Sequence, residues 1–107
     1  MMNEIIFSSA TQLAAAIRSK TLSSVEVVEQ HLQRIAEVNP LLNAVVQIRA
    51  EAALEEAKLA DDALKRDDQI GPLHGVPMTI KDSLDTEGLV STGGTAGRSS
   101  YVPTRDA

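Results

Sequence analysis

The sequence predicts an α/β chain: helices first, then a short strand, then loops. Three observations carry this expectation. Two capping boxes, Ser9-x-x-Gln12 and Ser23-x-x-Glu26, each open an apolar stripe at helical spacing. A segment rich in Ala, Glu, Leu and Lys from about Ala50 to Lys65 reads as a further helix. Beyond Pro77 the side chains alternate, Met78 and Ile80 on one side and Thr79 and Lys81 on the other, as in a strand.

Residues 1–8 read as an extended lead-in. The first helix runs from about Ala10 to Ser19, with Leu13 and Ile17 four apart on one face and Ala10 and Ala14 beside them. Lys20-Thr21 breaks the pattern. The second helix begins at the Ser23 box and buries Val25, Val28, Leu32 and Ile35. Pro40 is expected to end it, because the residue before proline avoids helical dihedrals. Residues 42–48 are open to two readings, a short strand at Val45–Ile48 or a helical lead-in, of which strand-like or extended is the one adopted. The third helix turns Ala53, Ala57, Ala60 and Leu64 to one face, where small side chains allow close packing. Its acidic start and its Lys65-Arg66 end suit the helix dipole. A polar linker, 66–69, leads to a loop punctuated by Gly71, Pro72, Gly75 and Pro77. Pro77 lacks an N–H and fits the first position of a strand ending at Lys81. After Asp82 the chain reads as loop, with a short strand near Thr86–Leu89 as an option within it, and a glycine-rich loop over 91–97.

The chain has 107 residues, 43% apolar, which suits one small globular piece. Phe7 and Tyr101 are the only aromatic residues. Aromatics bury the largest areas, so the core is expected to be thin, as in part of a larger one. A net charge of −5 argues against a phosphate-backbone binder, and no nucleic-acid partner is expected. With no cysteine, disulfides, thiolate nucleophiles and cysteine-ligated metals are excluded. No apolar run approaches the roughly 20 residues needed to span a bilayer, and no signal-peptide pattern opens the chain. The expectation is a cytoplasmic protein with no membrane partner.

Lys81 is the residue that invites a chemical reading. A lysine closing an apolar strand either reaches solvent, loosely paired with Asp82 or Asp85, or does chemistry. A desolvated lysine can hold a neutral amine and act as a base, and Ser-Lys pairs are a known form of nucleophilic catalysis. His31 reads as a boundary histidine and His74 as a loop histidine bonded to backbone. The carboxylates Glu51, Glu55, Glu56, Asp61, Asp62, Asp67 and Asp68 read as a solvated face, and no metal site is expected. Ser91–Gly97 has the backbone donors to hold an anion as a nest. It lacks the Gly-Lys-Ser/Thr of a Walker loop and the Gly-x-Gly of a dinucleotide fingerprint.

Gly71-Pro-Leu-His-Gly-Val-Pro-Met-Thr-Ile-Lys81-Asp82 resembles the lysine motif of the amidase signature family. Val38-Asn39-Pro40-Leu41-Leu42-Asn43-Ala44 before it is similar to that family too. So are Asp85–Leu89, the loop at Ser91–Gly97 and Tyr101–Ala107 after it. The resemblance covers nearly the whole chain, and its Gly-Val-Pro-x-x-x-Lys-Asp core is the specific part.

The family resemblance implies a large mixed sheet between helical layers. These 107 residues would then be the N-terminal part of a single amidase domain, helical over 1–66, with the lysine-motif strand and loops over 67–107. It implies hydrolysis of a small-molecule amide through a Ser–cis-Ser–Lys triad, with Lys81 as the base and no cofactor. The stretch ends at Ala107, before the segment in which the family carries both serines, so the polypeptide is expected to be inactive without the remainder of the domain. Ser99 and Ser100 lie where the family has an ordinary loop and are not assigned. A homodimer is an expectation for the full-length protein. Two alternatives are the N-terminal part of the A-type subunit of a glutamine-dependent tRNA amidotransferase and a non-enzymatic helical interaction module.

Overall fold

The computed structural model describes residues 2–107. In chain order it contains α1 (Met2–Phe7), α2 (Ala10–Arg18), α3 (Ser24–Leu42), α4 (Ala50–Lys65) and one turn of 3-10 helix, Ala96–Arg98. The chain forms two compact units. One comprises the described residues up to Ala44 with Arg49–Pro77; the other comprises Val45–Ile48 with Met78–Ala107.

The helical unit is built on its caps and a small apolar core. At α2, Gln12 N–H donates to Ser9 Oγ at 3.1 Å and Ser9 N–H donates to Gln12 Oε1 at 2.8 Å. At α3, Glu26 N–H donates to Ser23 Oγ at 3.0 Å and Ser23 N–H to Glu26 Oε1 at 3.2 Å. Each box satisfies two donors that a helix start leaves unpaired. Ile5, Leu13, Ile17 and Val27 form the buried cluster, with Leu22, Leu64 and Val76 packed against it. α3 lies against both α1 and α4. In α4, whose limits match those expected, Ala57 is buried and Ala53, Ala60 and Leu64 are half-buried.

Three expectations for this unit need correction. The lead-in is helical, not extended, over Met2–Phe7. Its six residues are too few to display a period; burial of Ile5 beside Val27 and the bonding of Ser8 back to Glu4 and Ile5 hold the turn. Helix α3 runs through Pro40 to Leu42 and closes on Asn43, in the left-handed region (φ 49°), whose N–H donates to Asn39 O at 2.7 Å. Pro40 falls within the last turn, where a missing N–H costs a single ladder bond rather than the helix. The inward face of α3 is centred on Ser24, Val27 and Val28, whereas Val25, Leu32 and Ile35 are half-buried. Ser24 turns inward because it has a partner there.

The second unit is irregular and held by polar contacts. Gly88 N–H donates to Pro103 O at 3.1 Å, Ser91 N–H to Tyr101 O at 3.0 Å and Ala107 N–H to Asp85 O at 2.9 Å. Pro103 and Ser91 are its buried residues. Val45–Ile48 is neither helix nor strand, so the strand-like expectation is not met there, and Leu42, read as extended, belongs to α3.

The described residues include no strand, so the helical half of the α/β expectation is seen in this chain and the sheet half is not. Val76–Lys81 is irregular chain, and Thr86–Leu89 is a turn closed by Leu89 N–H on Thr86 O at 3.1 Å. Alternation alone does not make a strand: the ladder needs a neighbour, and a lone strand leaves its N–H and C=O groups unpaired. Met78 and Ile80 are accordingly exposed, at 78% and 48%.

Candidate functional site

The approach to Lys81 belongs to the helical unit. The loop from Gly71 to Pro77 is bonded to α2, α3 and α4. Arg18 Nη2 of α2 donates to Gly71 O and Pro72 O, each at 3.4 Å. His74 Nε2 lies 2.8 Å from Ala60 O of α4; a carbonyl only accepts, so Nε2 carries the proton. Ser24 Oγ at the start of α3 donates to Gly75 O at 2.6 Å. Gly75 sits at φ 80°, and a Cβ there would lie 3.1 Å from Ser24 Cβ and 3.2 Å from Ile17 Cγ2. Only glycine meets both demands.

Ser24 is itself fixed by a carboxylate from another helix. Asp61 of α4 accepts from Ser24 N–H at 2.7 Å and from Val25 N–H at 3.2 Å. The negative charge sits at the positive end of α3 and caps it from outside its own sequence. Asp61 thus leaves the set read as a solvated face. Several other members of that set pair with cations: Glu56 with Arg49 at 3.1 Å, Asp62 with Lys65 at 4.0 Å and Asp68 with Arg66 at 2.8 Å. Among the described residues no three His, Asp or Glu side chains gather as a metal-binding group. His31 Nδ1 lies 2.8 Å from Val27 O, one turn back on its own helix.

Lys81 lies in the second unit. Its side chain is exposed, and Nζ donates to Ser83 Oγ at 3.2 Å. The structure therefore gives it the solvated environment, not the desolvated one a base was expected to need. The neighbouring carboxylate is the organised group. Asp82 Oδ1 accepts the Thr92 N–H at 3.0 Å, and its other oxygen accepts the Thr92 hydroxyl. Gly93 N–H donates to Asp82 O at 3.1 Å, and Gly94 N–H donates to Thr92 Oγ1 at 3.1 Å. The Thr92 hydroxyl bond, then its backbone bond, hold the Asp82 carboxyl below its ordinary range against a smaller opposing effect of burial. Within the glycine-rich loop, the Thr92 donors thus meet the chain's own carboxylate, while Gly93 N–H reaches the Asp82 backbone carbonyl.

A second carboxylate of this unit, Asp85, gathers its own partners. Asp85 accepts from Arg98 Nη2 and from the Tyr101 hydroxyl, each at 3.0 Å, and the Arg98 guanidinium stacks 4.4 Å from the Tyr101 ring centre. The hydrogen bond to Asp85, followed by burial, raises the Tyr101 phenol above its usual value. Ser99 and Ser100 are exposed in the turn after the 3-10 helix.

Sequence reading did not find Thr92, Arg98 or the capping role of Asp61. Their partners lie 10, 13 and 36–37 residues away, a distance no local period reports. The one signal was Thr92 standing directly before Gly93-Gly94, where two left-handed glycines (φ 60° and 77°) turn the loop back.

A sequence model of the Amidase family matches residues 26–107. The chain belongs to the amidase family. It is 46% identical to an indoleacetamide hydrolase of Bradyrhizobium diazoefficiens over 99 residues, 92% of this chain and 19% of the relative. It is 38% identical to the A-type subunit of the glutamyl-tRNA(Gln) amidotransferase of Streptomyces coelicolor over 106 residues, 99% of this chain and 21% of the relative. A solved structure of fatty acid amide hydrolase superposes with a TM-score of 0.89 at 27% identity, covering 98% of this chain and 19% of that one. The chain therefore spans about a fifth of the length of these family members. The lysine motif lies within the matched residues. No helix among the described residues of this amidase-family chain is long and apolar enough to cross a membrane.

Proposed function

We propose that these residues form the N-terminal part of a single amidase domain that hydrolyses small-molecule amides through a Ser–cis-Ser–Lys triad, with Lys81 as the base. The observation that carries this reading is the family match over residues 26–107, which contains Gly75-Val76-Pro77-x-x-x-Lys81-Asp82 intact. The relatives, an indoleacetamide hydrolase among them, support cleavage of an amide carbon–nitrogen bond.

In this mechanism a serine oxygen attacks the amide carbonyl. Its proton passes through the hydroxyl of the cis serine to the free amine of Lys81. As the carbon–nitrogen bond breaks, Lys81 returns that proton by the same relay to the leaving nitrogen. Water then repeats the sequence on the acyl-enzyme and releases the acid. Both serines and the oxyanion donors would come from the remainder of the domain, which would also supply neighbours for Val76–Lys81 as an interior strand of a mixed sheet. Packing against that sheet would take Lys81 out of water and give it the desolvation a base needs. No metal or organic cofactor enters any step, and a cytoplasmic setting suits a chain without cysteine.

The test is amide hydrolysis by this polypeptide alone and mixed with one carrying the Gly/Ser-rich region of the domain. Activity confined to the mixture and abolished by Lys81→Ala is the expected result. Activity that survives Lys81→Ala overturns the mechanism. A second reading, an amidotransferase A-type subunit, is favoured by the 38% identity to a protein of that kind. It predicts glutamine as the amide consumed and a second subunit that co-purifies.

A further inference from the structure

The chain around Lys81 is fastened from one direction. Met78, Thr79 and Ile80 before it are exposed. Directly after it, hydrogen bonds converge on the next peptide and its side chain. Leu84 N–H donates to Lys81 O at 2.9 Å, and Gly93 N–H donates to Asp82 O at 3.1 Å. Thr92 gives both its N–H, at 3.0 Å, and its hydroxyl to the Asp82 carboxylate. Gly94 N–H occupies the Thr92 oxygen at 3.1 Å, which turns the hydroxyl proton toward Asp82.

We infer that this Asp82–Thr92 clasp is a positioning device for the base: it ties the glycine-rich loop to the peptide that carries Lys81 and so fixes where the lysine side chain starts. The inference rests on the reading of Lys81 as the base. A lysine amine hangs on a flexible stem, so its reach is well defined only when its Cα is. A displacement of about 1 Å at a reacting group can cost on the order of a hundredfold in rate. The contacts of Asp82 and Thr92 are with the loop and the backbone of residues 81–82, so in this inference they act on the lysine through that backbone. The charge that makes the clasp strong is present at neutral pH, as for any ordinary carboxylate, and the Thr92 bonds favour it further. Gly93, at φ 60°, lets the loop double back to bring Thr92 within reach.

Two independent readouts test the clasp. The first needs no activity: backbone 15N order parameters of Lys81, Asp82 and Ser83 in this polypeptide. They are expected near the rigid value of about 0.85, to fall toward about 0.6 in Thr92→Val, and to recover in Thr92→Ser. The second uses the amide-hydrolysing mixture. Thr92→Val and Asp82→Asn are expected to lower kcat about tenfold to a hundredfold with KM little changed, and Thr92→Ser to restore it. Order parameters at Lys81 that do not change in Thr92→Val overturn the clasp, whatever the activity. So does a wild-type kcat in Thr92→Val and Asp82→Asn in a mixture that Lys81→Ala silences. Activity retained by Lys81→Ala itself overturns the base reading instead, and with it the catalytic half of this inference.

Discussion

The helical unit and the loop unit are stabilised by different physics. Up to Pro77, order comes from apolar burial and helix caps: Ile17 and Val27 are fully buried, and the signature loop is bonded to the helices around it. From Met78 onward, order comes from carboxylates. Asp82, Asp85 and Asp106 each accept bonds from loop N–H, hydroxyl or guanidinium groups, while Leu84 and Val102 stay about half exposed. An apolar core tolerates pH change and resists cavities poorly. A carboxylate-organised loop does the reverse.

The largest effect should therefore follow from a cavity in the helical unit. Ile17→Ala deletes a side chain with no exposure at the centre of the cluster and should destabilise the helices by about 2–5 kcal/mol. Denaturant unfolding followed by helical circular dichroism measures this. The matched change in the loop unit, Val102→Ala, removes apolar atoms from a residue that is 49% exposed and should fall within about 0.5 kcal/mol. Equal losses would mean that apolar burial matters as much to the loops as to the helices.

Gly75→Ala comes next. It places a methyl 3.1 Å from Ser24 Cβ and 3.2 Å from Ile17 Cγ2 and holds an L-residue at φ 80°. About 1–3 kcal/mol of destabilisation is expected in the same unfolding experiment. A smaller loss would mean the signature loop can lift away from α2 and α3. Asp61→Ala should cost somewhat less, about 1–2 kcal/mol, by stripping the cap from Ser24 and Val25 N–H. Asp61→Asn, which keeps an acceptor, should recover part of it.

These residues also mark what the sequence made legible. The capping boxes at Ser9 and Ser23, the limits of α4 and the Leu13–Ile17 face follow from periods of three and four, and the structure has them. Short-range patterns were decisive because their partners lie within one turn. The misread parts are those where a distant partner decides. Ser24 faces inward for Gly75, 51 residues on; α1 is helical because Ile5 reaches the core; and the expected strand at Val76–Lys81 has no neighbour among the described residues. At the candidate site, Lys81 was legible as the end of an alternating run. The group that organises its surroundings, Thr92, was not, because a hydrogen bond across ten residues leaves no periodic trace.

The smallest effect is the one that separates the two units most cleanly. Asp82's carboxyl is lowered in the folded chain, first by the Thr92 hydroxyl and then by the Thr92 N–H. A carboxyl lowered on folding stabilises its surroundings at every pH above the ordinary value, about 3.9, and that contribution is withdrawn as pH falls through the lower folded value. The Thr92 amide resonance should therefore stay fixed from neutral pH down to about 4 and shift only below it. Asp82→Asn should leave that resonance without an acid transition, because the amide does not titrate. The Ile17 amide, surrounded by apolar side chains, should hold its position through the pH range in which Thr92 moves. A Thr92 transition at or above about 3.9 would mean that its bonds to Asp82 are not kept in solution, and the loop would then owe its shape to Asp85 and the glycines rather than to Asp82.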